Sequence, residues 1–446
     1  MKLNRRDFLA SVGGSALAAA LAPQSAVADG HMTKYNLLAG RPFGGTKLNI
    51  LSVVTPQFRG LELRSDEFTS LTGIETEWTY IPIHSLQEKI NAEGLAANGN
   101  FDVVNYLDSW GPPNAYWLQP IDDLLARDGI DMNRYPEAFK RSAMYEGRTL
   151  GFPMRAHGQL LFYRKDLIET PPSSWEELVA LGQDMLKRSQ DIWPLAMYYG
   201  NDGNRQNLFI WLNFIWAAGG DIFNDDWTAA WTSEEALEAT EDYVGLVTER
   251  HGVATPDCVS FNEQDARQSF MQGKSAMTPQ WWWAYSLLKS PDNSTLTEDQ
   301  VAFAPLPTYK GNLKSYAISM PYSISQYTRH PEASWEFMKW LSNPDMEKRN
   351  ATEREVKGEK IVNNVVTHIE NLTDPEVNEA NDHIQAAVWK GLENSDIMPQ
   401  ISEWPEVGDL LSAAITEGAA GGNVRRLMID AANQSDRVLK RAGRIE

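Results

Sequence analysis

The chain has 446 residues and a formal net charge of −20, from 40 Lys and Arg against 60 Asp and Glu. A field of that sign repels nucleic acid and anionic membranes, so neither is an expected partner. The single cysteine, Cys258, excludes an intramolecular disulfide, an iron–sulfur cluster and a Cys-rich zinc site. The length implies two or three packed units rather than one core. With 16 Trp, 15 Tyr and 15 Phe the chain is aromatic-rich, and indoles serve both cores and stacking on apolar ring faces.

Residues 1–28 read as an export signal peptide. Lys2, Arg5 and Arg6 form a basic start, residues 10–22 a short apolar run rich in Ala and Gly, and Ala26-Val27-Ala28 a small-residue cleavage site. The run from Asn4 to Leu9, which holds Arg5-Arg6, resembles the twin-arginine signal. No cysteine stands at the cleavage site to take a lipid anchor, and no later stretch approaches about 18 apolar residues. A soluble, exported, periplasmic protein is expected, without a lipid anchor.

After a turn-rich lead-in over 30–45, residues 47–55 read as a buried strand. A helix over 61–72 follows, stopped at Gly73, then a strand over 74–80, a helix over 86–97 and a strand over 101–107. Strand and helix alternating in this way predict a parallel α/β sheet, with ligands at the carboxyl ends of its strands. Those ends are 55–57 and 106–110. Helices are predicted over 173–188, where Ser-Ser-Trp-Glu-Glu supplies a cap and first-turn acids, and over 208–218 and 234–250. Strands are predicted over 193–199, 301–305 and 316–324, and helices over 331–341 and from Glu406 onward.

The segment 147–169 joins a Gly-Arg turn to an apolar strand, with Arg155 and His157 at alternate positions and so on one face. Polar groups on a buried strand are costly unless they meet a partner or a ligand. Arg155 pairs either with an acid inside its own unit or with a ligand. This segment resembles the first inter-lobe crossing, and the strand after it, in the sugar-binding family of extracellular solute-binding proteins of ABC importers. Further landmarks follow in the family's order: Phe101-Asp102-Val103-Val104, 171–178, Phe270–Thr278 with its Gly-Lys-Ser-Ala-Met-Thr core, 303–307, 316–350 and 398–422.

The resemblance implies a two-lobed periplasmic-binding-protein fold of class α/β, with parallel-rich sheets in each lobe and three inter-lobe crossings. The N-terminal lobe would comprise 46–145 and 318–349, the C-terminal lobe 146–317 and 350–446. The expected function is ligand capture in the inter-lobe cleft by lobe closure, and delivery to ABC permease subunits in the inner membrane. The expected protein is a monomer that binds a sugar or small glycoside, without a cofactor and without catalysis.

Residue by residue, the resemblance places Gln57 in the first strand-to-helix loop, and Asp108 as a carboxylate that accepts sugar hydroxyls in a fork. Trp110 either stacks on a ring or packs under the Pro112-Pro113 turn. His157 stands where many members carry an acid, so with Arg155 it suits a neutral glycoside or an anionic group on a modified sugar. Tyr198 and Tyr199 fall where the family has a cleft aromatic, and strand parity lets only one face the cleft. Trp283 matches another cleft aromatic, with Trp281 on the same face, and indoles in place of small residues imply a compact ligand. Trp404 lies near a third. The alternative is a secreted carbohydrate-active hydrolase, which needs two carboxylates about 5–10 Å apart; no such pair stands at matching strand ends. The HExxH, GxGxxG, GxxxxGK[ST] and GxSxG patterns are absent from the sequence.

Overall fold

The computed structural model describes residues 34–446 apart from Gln190, Asp202, Gly203 and Val362. The export signal over 1–28 lies outside the described residues. Strand Lys47–Val53 pairs in parallel with Glu75–Ile81 on one side and Val103–Asn105 on the other. Tyr322–Ile324 completes this four-stranded sheet, antiparallel to Val103–Asn105. The second sheet has Gln159–Arg164 between Ser275–Trp281 and Val301–Pro305, with Trp193–Leu195 at its edge. It is more antiparallel than the resemblance implies. Gln159–Arg164 runs against both of its neighbours, and only Trp193–Leu195 and Ser275–Trp281 are parallel.

The inner strands are buried on both faces, whereas the edge strand Glu75–Ile81 is half-exposed. In Gln159–Arg164, Leu160 and Phe162 join a core that runs on into the first sheet, while Leu161 joins the core of the other face. That second core contains the apolar helix Leu208–Ala217 and Cys258. The Cys258 sulfur accepts the Met197 N–H at 3.0 Å, and burial pushes its thiol pKa up to about 12.

Two connections between the sheets lie side by side. The expected strand over 316–324 is in fact two pieces, Ser315–Tyr316 and Tyr322–Ile324, separated by a passage that contains Pro321. This passage runs antiparallel to 152–157. Phe152 and Tyr322 exchange backbone hydrogen bonds at 3.0 and 3.1 Å, Met320 N–H reaches Met154 O at 2.8 Å, and His157 and Ile318 exchange bonds at 2.7 and 3.1 Å. At Gly151 a Cβ would stand 2.0 Å from the Tyr322 carbonyl oxygen, so only glycine lets the two backbones meet there. A third connection follows helix Pro344–Thr352. Asn350 of that helix is tied to the first sheet's side through Gln57 O and Arg64, whereas Asn364 already donates to Trp282 O on the second.

The alternation read for Arg155 and His157 does not hold as regular strand. Arg155 sits at φ +44°, in the left-handed region, within an irregular passage. The first helix also differs. It begins at Pro56, whose fixed φ suits a first helical position, and breaks at Arg64 into Pro56–Leu63 and Ser65–Thr72.

Candidate functional site: a cavity between the two sheets

A cavity of about 400 Å³ lies where the two sheets face each other across the paired connections. The first sheet contributes Val53 and Val54 from the end of strand Lys47–Val53, Ile83 from the turn after Glu75–Ile81, and Leu107 and Trp110 from beyond Val103–Asn105. These are carboxyl ends of strands, where side chains from successive crossovers converge. The second sheet's side contributes Phe209, Glu263, Arg267, Trp281 and Trp283. The paired connections themselves supply Arg155, His157, Ile318 and Met320.

His157 is buried and held in one tautomer. The Trp282 indole N–H, which can only donate, is shared between the Ala156 carbonyl oxygen at 3.1 Å and His157 Nδ1 at 3.2 Å. The ring proton therefore resides on Nε2, which has no partner among the described residues. Burial, and then the neighbouring Arg155 charge, push the imidazole pKa well below its ordinary value, so the ring is neutral. The cavity meets a neutral N–H donor.

Arg155 donates through Nε to Thr55 Oγ1 at 3.1 Å and from its guanidinium to Met320 Sδ at 3.0 Å. Burial lowers its pKa to about 10, so it stays charged at neutral pH. Its guanidinium lies 5.6 Å from the Trp283 ring centre, and that of Arg267 lies 5.1 Å from the same ring. Arg267 is already paired, its Nε donating to Glu263 Oε1 at 3.0 Å. Glu263 opens helix Glu263–Met271, whose start is fixed by a capping box. Asn262 accepts from Asp265 N–H at 3.1 Å, and Asp265 accepts from Asn262 N–H at 3.0 Å.

Of the residues singled out from sequence, Trp110, Arg155, His157, Trp281 and Trp283 line this one cavity. Trp281 is nearly buried, edge-on to Phe209 and Tyr316 at 5.3 and 5.8 Å. Asp108 lies behind Trp110 and is fully buried. One carboxylate oxygen accepts from Ser109 N–H at 2.6 Å and the other has no partner among the described residues. Burial pushes its pKa up to about 8. The Tyr198 hydroxyl is likewise buried without a partner among the described residues.

Three positions differ from expectation. Gln57 is in the first turn of a helix rather than in a loop, and it is buried outside the cavity lining, with its backbone oxygen on Asn350. Neither Tyr198 nor Tyr199 lines the cavity: both belong to the second core, where Tyr199 packs on Tyr243 and donates to its carbonyl oxygen at 2.7 Å. Trp404 is fully buried, its N–H on Met398 Sδ at 3.2 Å, because it begins helix Trp404–Ala419 and is drawn into the core beneath it. The sequence reading missed Glu263 and Arg267, whose signal was the capping pattern Asn262…Asp265. It also missed Trp282, which parity set aside as the residue facing away. Among the described residues no cluster of His, Cys, Asp and Glu gathers as a metal site, and no helix is long and apolar enough to cross a membrane.

The chain is similar to several proteins named as binding proteins. A protein of Brucella abortus (strain 2308), named as a binding protein, is 26% identical over 378 residues, covering 83% of this chain and 87% of its own length. A maltose-bound MalE3 of T. maritima superposes with a TM-score of 0.75 at 21% identity, over 88% of this chain and 100% of that one. An ABC transporter solute-binding protein of Agrobacterium radiobacter K84, in complex with ribitol, gives 0.74 at 22% identity, over 89% and 100%. The sequence profile of the bacterial extracellular solute-binding proteins matches residues 57–348. On that match, over well more than half its length, the chain belongs to this family of ABC importer binding components, whose work is capture and not catalysis.

Proposed function

We propose that this protein captures a compact sugar, polyol or small glycoside in the periplasm and hands it to the permease subunits of an ABC importer. The observation that carries the reading is the cavity itself. It lies at the carboxyl ends of the first sheet's strands and is walled by Trp110, Trp281 and Trp283. A neutral imidazole N–H and a guanidinium project into it as donors. Indole walls with a few fixed donors suit a ligand that has apolar ring faces and hydroxyl edges. Maltose, held by one structural relative, has both features, and ribitol, held by the other, is an open-chain polyol that offers the hydroxyl edge without the ring.

Trp110, Arg155, His157, Trp281 and Trp283 are the proposed contacts, with Asp108 and Tyr198 behind them. The lobes are proposed as 46–145 with 318–349, and 146–317 with 350–446. Strand membership in the two sheets and the paired passages between them support that division.

The test is a thermal-shift screen of the chain from Asp29 onward against monosaccharides, disaccharides, glucosides, polyols and sugar acids. A ligand that binds only the folded state raises the midpoint by about 2.7 kcal/mol of stabilisation at 100 times its Kd. A raised midpoint with the compound recovered unchanged is the expected result. Consumption of the compound would overturn the binding role, and silence across the whole panel would overturn the carbohydrate assignment.

A further inference from the structure

The charges around the cavity do not cancel. Among the described residues that line it, Arg155 and Arg267 are cationic, Glu263 is the one carboxylate, and His157 is neutral. Glu263 is engaged by Arg267 through a hydrogen bond at 3.0 Å, and the two occupy adjacent turns of one helix. Arg155 has no hydrogen-bonded carboxylate among the described residues, and Glu263 acts on it only through space. Its hydrogen bonds go to a hydroxyl and a thioether, and no carboxylate among the described residues lies within salt-bridge distance of it. A guanidinium presents several donors in a planar fork that matches an oxyanion, and two neutral acceptors leave much of that fork unused.

Three features hold this charge in place. The Arg155 backbone is kept at φ +44°, a conformation that persists in a bulky residue only where surrounding structure imposes it. The bonds of Met154 to Met320 and of His157 to Ile318 impose it from both sides. The Trp283 ring then bears both guanidinium groups, at 5.6 and 5.1 Å. Two positions along, the His157 Nε2–H is a second donor, buried and without a partner among the described residues. A half-buried cation and a buried donor converging on one space, in a chain whose overall charge is −20, form a local anion site.

We propose that the ligand is a sugar acid, whose carboxylate binds the Arg155 guanidinium and the His157 Nε2–H while its ring lies against the indoles. This rests on the carbohydrate reading above and narrows it. A single negative charge is what the lining lacks, which favours a monoanionic carboxylate over a phosphate dianion. Glu263 disfavours a second negative charge in the same space and is placed to accept ring hydroxyls.

The experiment measures Kd by calorimetry for matched pairs: D-glucuronate and D-glucose, D-galacturonate and D-galactose, D-gluconate and sorbitol, methyl β-D-glucuronide and methyl β-D-glucoside. Glucose 6-phosphate is added as a dianion. At least one carboxylate is expected to bind about 100-fold more tightly than its neutral partner, the scale for a half-buried guanidinium gaining its counter-ion in a closed site. Arg155→Gln removes that preference, so that the acid binds no more tightly than its neutral partner, with the unliganded melting curve recorded as the check that the variant folds. Glu263→Gln, which releases Arg267, tightens binding of the acid several-fold, an effect that a purely structural role for these residues would not produce.

Preference for a neutral member of each pair would overturn the sugar-acid assignment and leave the carbohydrate reading intact. Tighter binding of glucose 6-phosphate than of any carboxylate would overturn the carboxylate. Binding by no member of either set would overturn the carbohydrate reading and this inference with it. Unchanged or weakened acid binding in Glu263→Gln would overturn the charge balance on which the proposal stands.

Discussion

Asp108 has its carboxyl sealed from water behind Trp110, with one oxygen on a backbone N–H and the other on nothing among the described residues. Burial raises its pKa to about 8, against an ordinary carboxylate value near 4. Between those two values the folded protein holds a proton that the unfolded chain has released. Stability from this group is therefore complete below about pH 4 and declines as pH rises towards 8. Asp108→Asn removes the titration and keeps an oxygen for Ser109. Its melting midpoint is expected to match wild type at pH 4 and to exceed it at pH 8, by about 2 kcal/mol of stability or more. A constant difference across that range would show that Asp108 is charged in the fold. His157 gives a second prediction at this scale. His157→Gln retains a neutral donor and should lower ligand affinity by about tenfold, whereas His157→Phe, which has none, should lower it by about a hundredfold. Kd by calorimetry reads both.

Helix Glu263–Met271 shows how an element rather than a residue sets the site. Its capping box fixes the first turn, and that turn places Glu263 and, one turn on, Arg267 against Trp283. Asp265→Ala takes away half of the box from outside the cavity. It should cost about 1 kcal/mol or less, a fall of about 2 °C in midpoint, and weaken ligand binding by a few-fold because the pair loses its register. An unchanged Kd with a lowered midpoint would show that the pair is held by Trp283 alone. The alternation of strands and helices in the first part of the chain, the strand-end positions and the Trp run were legible in sequence because they follow from periodicity and the sequence of landmarks. The left-handed Arg155 was not, since nothing in its neighbours' propensities announces a conformation imposed by a chain segment about 165 positions away. Trp282 was hidden for a related reason. Parity assigns it to the core, yet from the core its N–H decides which nitrogen of His157 carries the proton. Tyr199 and Trp404 show the converse, aromatics at suggestive positions that tertiary packing draws into the core.

At the scale of the whole molecule two four-stranded sheets are joined by three passages, two of them hydrogen-bonded to each other as a ribbon. A ribbon of that kind bends about its length more easily than it shears, so relative movement of the sheets is confined largely to opening and closing over the cavity. Since Arg155 and His157 are on the ribbon itself, a ligand held there is gripped at the pivot, and the walls close on it from both sides. Small-angle scattering should show this. A compact chain of this length has a radius of gyration of about 22 Å, and the ligand-bound form should lie nearer that value than the ligand-free form. Identical scattering curves with and without saturating ligand would mean that capture needs no closure.

Cys258 gives this molecule a practical property. The chain's one thiol is sealed in the core, and with its pKa pushed up to about 12 it carries almost no thiolate at neutral pH. A cysteine introduced at Val54, which is 59% exposed on the cavity rim, would be the one nucleophile available to a maleimide dye. A fluorophore attached there would report closure as a change in brightness, so the chain is already suited to be a reagentless optical sensor for the compound it carries.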